Sequence, residues 1–377
     1  MAFRTRGSVN GSFLGLIINS TLADNIATGD FGGAISNVGE ATITGTILSG
    51  NRTDIKGGGI HNIGTMTITS STISGNDQRT SEDSDDGGGG IYNSGTLTIT
   101  SSTISGNTSI VAGGIYNTGT ATITNSTISG NAASGDPFFP FPGGEGGGIL
   151  NSGTVTIANS TISGNTADFG TGGIHNSSGT VYLINAIIAN NTFNCSGSMT
   201  SLGHNLASDG GCNLTDPTDL PFNDPLLGPL EDNGGPTETH ELLPGSPAID
   251  AGGLVAALSD QRGVTRPPGG ATDIGAFESQ GNCTLILDVS YTAGTATIEA
   301  TVGALVPATK NFWGTFQSNV LNLESTAIPV TDPPAKTVVF SGAVPAQGVV
   351  AVFATLTTPD DGIICSSLEN LDTGPAP

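Results

Sequence analysis

Three groups of side chains in this sequence stand where they could do chemistry. The first is a column. His61, Tyr92, Tyr116 and His175 each follow the isoleucine that closes a recurring glycine-rich stretch, and Ser36 and Leu150 hold the same place in two further copies. Residues at one repeat position stack along the axis of a repeat protein, so these rings predict a shallow outward aromatic stripe on which a sugar ring could lie. Ordinary cross-strand packing is the competing reading. A metal site is disfavoured because His61 and His175 are many residues apart. The second group sits in two insertions. Glu82, Asp83, Asp85 and Asp86 form an acidic run able to offer Ca²⁺ oxygen ligands, or simply to be solvated. Phe138, Phe139 and Phe141 lie among prolines in the other insertion, an apolar knob suited to binding. The third group is Arg262 and Arg266, with Asp250, Asp260 and Asp273 nearby. It reads either as an acid–base cluster or, better, as a buried Arg–carboxylate network holding irregular chain.

A further array is built of threonine. Thr42 and Thr44, then Thr65, Thr67 and Thr69, then Thr96, Thr98 and Thr100, then Thr120, Thr122 and Thr124, then Thr154 and Thr156 alternate with apolar residues and face outward. Flat arrays of this kind are similar to ice-binding surfaces; the plain alternative is β-propensity on a solvated face.

The elements that must position these groups are repeats. GGGIYNSGTLTITSSTISGN at 88–107 returns as GGGIHNIGTMTITSSTISGN at 57–76, with further copies ending at Asn131 and Asn165 and weaker ones ending at Asn51 and Asn191. The landmark isoleucines, Ile35, Ile60, Ile91, Ile115, Ile149 and Ile174, are spaced by 25, 31, 24, 34 and 25 residues. A short period with loops of variable length marks a solenoid. Alternation of period two within each copy makes short strands with one buried face. Rungs of a parallel β-helix fit, with each strand pairing to its copy one rung away at about 4.8 Å. Three apolar columns are expected inside: the landmark isoleucines; Ile43, Ile68, Ile99, Ile123 and Ile157; and Leu48, Ile73, Ile104, Ile128, Ile162 and Ile188. Two asparagine columns mark turns, Asn37 to Asn176 and Asn51 to Asn190 or Asn191. Asparagine tolerates left-handed backbone angles and can donate to one rung while accepting from the other.

Composition narrows the function classes. The net charge is −23 with nine Lys and Arg, against nucleic acid and against anionic lipid. No apolar run is long enough to span a membrane as a helix, and no signal-peptide core follows Met1. The repeat pattern begins almost at once, so the chain reads as a piece of a longer exported protein. The four cysteines fall as Cys195 with Cys212 and Cys283 with Cys365, spacings that suit two disulfides in an oxidising compartment better than a metal.

Past residue 193 the repeat breaks. The strings DNGGPT, GSPAIDAG, DQRGVTRP and DIGAFE follow, between 232 and 278. Together with the repeats they resemble the choice-of-anchor Q domain of secreted bacterial β-helix proteins, over about 32–278. The repeats are also similar to those of polymorphic outer-membrane adhesins. The resemblance implies a right-handed parallel β-helix of pectate-lyase-like shape, exported and surface-associated, with no known catalytic set. The tail lacks a sorting motif. From 282 onward, six segments alternate like strands, at 284–291, 295–302, 312–317, 338–341, 349–356 and 363–367, and suggest a small immunoglobulin-like sandwich.

The reading is an all-β chain: parallel β-helix rungs over 1–192, an irregular cap covering the last rung over 193–280, and a β-sandwich over 281–377. Between 57 and 191 the one basic residue is Arg79, in an insertion, and the strands carry Thr, Ser and Asn where polysaccharide lyases and hydrolases need acids. The expectation is therefore an extracellular or cell-surface, non-catalytic, adhesin-like scaffold without a cofactor other than Ca²⁺, for a polysaccharide or cell-surface ligand. A polysaccharide-active lyase or hydrolase and an ice-binding protein are the alternatives. Stacked ends also permit end-to-end self-association.

Overall fold

The computed structural model describes residues 15–78, 86–135, 144–253, 259–266 and 272–279 with their side chains; elsewhere only the backbone of the strands named below is described. The chain divides into two compact units, Met1–Glu278 and Ser279–Pro377. The first is a parallel β-helix. Among the described residues no helix is long and apolar enough to cross a membrane.

One rung shows the plan. Its four strands are Ile91–Asn93, Thr96–Thr100, Thr103–Ser105 and Thr108–Ser109. Each pairs in parallel with its copies on either side, and these stacks make first, second, third and fourth sheets of eight, eight, ten and six strands. Ala2–Phe3 and Val9–Gly11 continue the third and first sheets at the start of the chain. Register follows the repeat: Ile91 pairs with Ile60 and Ile115, and Ile99 with Ile68 and Ile123. The three expected apolar columns are internal, and Ile60, Ile99 and Ile104 are fully buried. A fourth column, Met66, Leu97, Ala121, Val155 and Val181, fills the second sheet's inner face. The two-residue strands of the fourth sheet, such as Asp77–Gln78 and Thr108–Ser109, were not legible as strands because two residues carry no period.

The glycine triplets have a backbone reason. Gly88 sits at φ +75, where glycine alone is unstrained. A Cβ on Gly89 would lie 2.2 Å from the Thr108 carbonyl oxygen and 2.5 Å from that of Gly113 on the next rung, so the backbone around it excludes any side chain there.

The asparagine columns are hydrogen-bond ladders. Asn107 Nδ2 donates to Asn131 Oδ1 at 2.9 Å and to the Ile73 carbonyl at 2.9 Å, while Asn107 Oδ1 accepts from the backbone N–H and the side chain of Asn76. Asn191, rather than Asn190, continues this ladder from Asn165. The left-handed expectation needs correction: the ladder residues are not at positive φ. Those positions fall at the next corners, on Ser70, Ser101, Asn125, Asn159 and Asn185, and on Gly75, Gly106, Gly130 and Asn190. A third ladder, of serines, was missed. Ser71, Ser102, Ser126 and Ser160 each accept a backbone N–H from the preceding rung, at 3.1–3.2 Å.

The expectation of a cap over the last rung is corrected in part. Leu206–Ala207 and Leu220–Pro221 do extend the third sheet at its end. The chain then doubles back along the side of the helix. The hairpin Leu227–Glu231 with Thr239–Leu242 and the segments around 246–253, 259–266 and 272–278 lie against the third sheet and its corner. Thr103 and Thr127 are fully buried under this return segment, whereas Thr72, one rung earlier in the same column, is half-buried and Ile47, a rung before that, is 46% exposed. The physical reason is apolar: Ile187 and Ala189 put outward side chains on the third sheet, and Leu242, Ala248, Ile274 and Phe277 cover them.

The second unit holds two antiparallel sheets. One contains Cys283–Thr292, Thr295–Ala304 and Lys336–Ala343; the other contains Thr326–Ile328, Phe312–Ser318, Val349–Thr358 and Gly362–Asp372. Thr326–Ile328 was not expected. The side chains of Cys283 and Cys365 lie outside the described residues.

Candidate functional site

The aromatic column exists, but not as an open stripe. Ser36, His61, Tyr92, Tyr116, Leu150 and His175 stand in register on the outer face of the first sheet. Phe31 stacks on His61 with centroids 4.7 Å apart, His61 on Tyr92 at 5.4 Å, and Tyr92 meets Tyr116 edge-on at 5.2 Å. Lys56 Nζ sits 4.8 Å from the Tyr92 ring centre. The turns between rungs then fold over the column. Val111 and Ala112 pack with Tyr92, Tyr116 and Leu150 as a second small core, leaving the two tyrosines 7% and 8% exposed. Burial and the Lys56 charge lower His61 to about 4, against the opposing pull of Asp30. His61, Tyr92 and Tyr116 therefore offer no free ring face. A column of large outward side chains gains more by being covered than by being wetted.

His175 closes that column and differs from the rest. Its Nδ1 lies 2.9 Å from Ser196 Oγ, and its Nε2 lies 3.4 Å from a Glu145 carboxylate oxygen. Thr171 donates its hydroxyl to Ser196 Oγ at 2.5 Å. His175 and Ser196 are register partners on consecutive rungs. The residue before Ser196 is Cys195, bonded to Cys212 across 17 residues, which fulfils one of the two expected disulfides.

The threonine array is open. Thr42, Thr67, Thr98, Thr122 and Thr156 pair in one row across the second sheet, and Thr44, Thr69, Thr100 and Thr124 in the next. An edge row runs Thr65, Thr96, Thr120, Thr154 and Thr180. All of these are half-buried to exposed. From Thr65 to Thr180 the face carries no charged side chain; Glu40 stands at its first rung, and Tyr182 and Ile184 end it. Rows separated by about 4.8 Å, with threonines about 6.6 Å apart along each strand, make a two-dimensional grid of hydroxyls and methyls.

The arginine cluster is internal. Arg262 pairs with Asp260 at 2.7 Å and lies over the Phe277 ring at 3.5 Å. Arg266 pairs with Glu278 at 2.8 Å and donates to the carbonyls of Asp273 and Gly275. Glu278 was missed in the sequence, since nothing about its position 12 residues on marks it as the partner of Arg266. Burial first, then the Asp273 charge, raise Glu278 to about 8 despite Arg266. Asp260, Asp273, Glu278 and Arg266 are all at most 4% exposed and hold the return segment together, while Asp250 is exposed. His240 ties the same segment down, with Ser129 Oγ 2.9 Å from Nε2 and the Gly228 carbonyl 2.8 Å from Nδ1; burial lowers its pKa.

The two insertions are mostly out of reach. Phe138, Phe139 and Phe141, with Glu82, Asp83 and Asp85, lie outside the described residues. Asp86, the acid that is described, is buried. Among the described residues no three His, Cys, Asp or Glu side chains gather as a cation site. An open cleft of about 280 Å³, lined by Asp77, Gln78, Thr108, Ser109, Ile110 and Ser134, lies on the fourth sheet.

No family model matches this chain, and no curated protein matches it. Among solved structures, the enzymatically active domain of tailspike protein 4 of bacteriophage CBA120 is similar at 11% identity and a TM-score of 0.28, over 95% of this chain and 55% of that one. The chain thus spans about half the length of that structure, and a likeness at this level carries no argument about what the chain does.

Proposed function

We propose that this protein is an exported, adhesin-like β-helix that binds an extended, uncharged extracellular polysaccharide through the threonine face of its second sheet, and that the face binds without catalysing anything. One observation carries this reading. A chain of net charge −23 keeps charge off a whole broad face from Thr65 to Thr180. The third sheet, by contrast, is overlaid by the return segment from the Thr103 rung onward, and Tyr92 and Tyr116 of the first sheet by a turn. A neutral chain of sugars laid across the rungs meets a hydroxyl about every 4.8 Å and no carboxylate to repel it. The Cys195–Cys212 disulfide suits an oxidising, extracellular setting.

The test is a glycan-array screen with and without Ca²⁺, with each hit checked for cleavage. Binding without products, abolished by the double variant Thr98→Glu, Thr122→Glu, supports the reading. Binding that survives that variant moves the site elsewhere. Cleavage products replace the reading with the polysaccharide lyase or hydrolase alternative, and Ca²⁺ dependence points to the acidic insertion.

A second reading follows from the grid itself. It repeats in two directions, and no aromatic ring stands on the second-sheet strands from Thr65 to Thr156. A lattice of ordered water matches such a surface better than a single polymer chain does. Thermal hysteresis in the wild type, lost in Thr98→Tyr, supports ice binding; a freezing curve identical to that of buffer removes it.

A further inference from the structure

We infer that Ser196, His175 and Glu145 form a hydrolytic centre for small uncharged acyl esters, on the first sheet and independent of the threonine face. The contacts form one continuous chain from Thr171 to Glu145. Thr171 donates to Ser196 Oγ, which leaves the serine's own proton to point at His175 Nδ1 2.9 Å away. On the far side of the imidazole, Nε2 faces the Glu145 carboxylate at 3.4 Å. A proton on Nε2 would face the carboxylate as an ion-pair partner and leave the Nδ1 lone pair to the serine. That is the logic of a nucleophile, a base and an orienting acid, with the two imidazole nitrogens in exchanged roles.

The positions are held by the fold. Ser196 and His175 face one another because consecutive rungs stack in register. The disulfide at Cys195 ties the nucleophile's neighbour to Cys212. Glu145 directly precedes Gly146, whose φ of +70 opens the rung before that of His175. Gly197, next after the serine, is exposed at φ +83, the sequence position that supplies an oxyanion N–H in many serine hydrolases. The site is reachable, since the His175 and Glu145 side chains are 20% and 47% exposed. At the other end of the column Ser36 and His61 offer the same pair of residue types. There His61 is stacked under Phe31, 7% exposed, and its Nδ1 has no hydrogen-bond partner. Residue type alone therefore does not make the centre; the carboxylate and the access do.

The chemistry closes on itself. Ser196 Oγ bonds to the ester carbonyl carbon as its proton passes to His175 Nδ1, and the carbonyl π pair moves to oxygen. Collapse of that intermediate breaks the bond to the alkoxy group, which leaves as an alcohol with the proton from Nδ1. Solvent water then adds to the acyl-serine, giving its proton to Nδ1. The second collapse releases the acid and returns the proton to Ser196. A net-acidic protein and an open site favour uncharged, short acyl groups over anionic esters.

The experiment uses the full chain with two probes, a fluorophosphonate and 4-nitrophenyl acetate. The expected result is a fluorophosphonate adduct on Ser196 by peptide mass spectrometry, and acetate release that Ser196→Ala abolishes. His175→Ala should lower the rate by about 100-fold or more. Glu145 acts through the imidazole and is a positioning residue. Glu145→Gln should lower kcat about tenfold with KM unchanged, partly rescued by Glu145→Asp, a split that a merely structural role would not give. Unfolding midpoints of all variants must match the wild type, and Thr171→Val, which keeps Ser196 and His175, serves as a second reporter of the same relay. No adduct on Ser196, or acetate release that persists in Ser196→Ala, overturns the inference.

Discussion

Gln261 donates its side-chain amide to the Thr103 hydroxyl at 2.8 Å, across 158 residues of chain. Its other donor hydrogen goes to Thr237 Oγ1 at 2.9 Å, and its carbonyl accepts from Thr127 Oγ1 at 2.7 Å. One buried amide thus stitches the return segment to two successive rungs of the third sheet. Gln261→Leu should leave the Thr127 and Thr237 hydroxyls buried without that partner and cost about 2–4 kcal/mol. Urea denaturation measures it; a loss under about 0.5 kcal/mol, typical of surface changes, would remove the seam from the account.

The asparagine ladder makes a second prediction. Asn107→Ala strips the acceptor from both donors of Asn76 and the donor from the Ile73 carbonyl. All three are enclosed, so the cost should be on the order of 3 kcal/mol. Thr98→Ala on the open face should cost almost nothing. Equal midpoints for the two variants would mean that water replaces the ladder.

Glu278 sets a pH dependence. Its folded value of about 8 lies above the ordinary 4.5. Between those values the folded chain holds a proton that the unfolded chain has released, so rising pH favours unfolding. The contribution is full below 4.5 and is lost as pH rises through about 8. Glu278→Gln keeps an acceptor for Arg266 and for the Asp273 N–H but cannot ionise. The difference in stability between wild type and variant should therefore widen in the variant's favour from pH 5 to pH 8. A constant difference across that range would show that Glu278 ionises normally.

Cys195–Cys212 closes a loop of 17 residues, and a loop of that size is worth about 3 kcal/mol by the chain-entropy argument. Cys195→Ser with Cys212→Ser should lower stability by about that amount. It should also slow the Ser196 chemistry while leaving ligand binding on the threonine face intact. Binding and hydrolysis falling together would make the two sites one.

The repeat made most of the helix readable. A position that recurs as Ile in every copy has one environment in every copy, which is why all three columns proved internal. The ladders of Asn37 and Asn51 were readable for the same reason. Outward positions were harder. Tyr92 and Thr98 both sit outside the apolar columns, yet one is buried by a turn and the other is open. Period two says which way a side chain points, not whether another piece of chain comes to lie on it. The Ser196–His175–Glu145 relay was invisible because its members are 21 and 30 positions apart, and His175 stood out only as a member of the aromatic column.

The sequence by itself determined the solenoid: alternation made the strands, glycine and asparagine made the corners, and repetition put each strand beside its copy. These are local rules repeated, and each rung needs only its neighbours to satisfy them. The tertiary structure alone decided which faces of the solenoid stay open. The 224–278 return segment contacts rungs more than a hundred residues away in the chain, through Thr103, Thr127 and Thr161. Such contacts depend on how an irregular segment buries Leu242, Ile274 and Phe277, and no period in the sequence records where that burial falls.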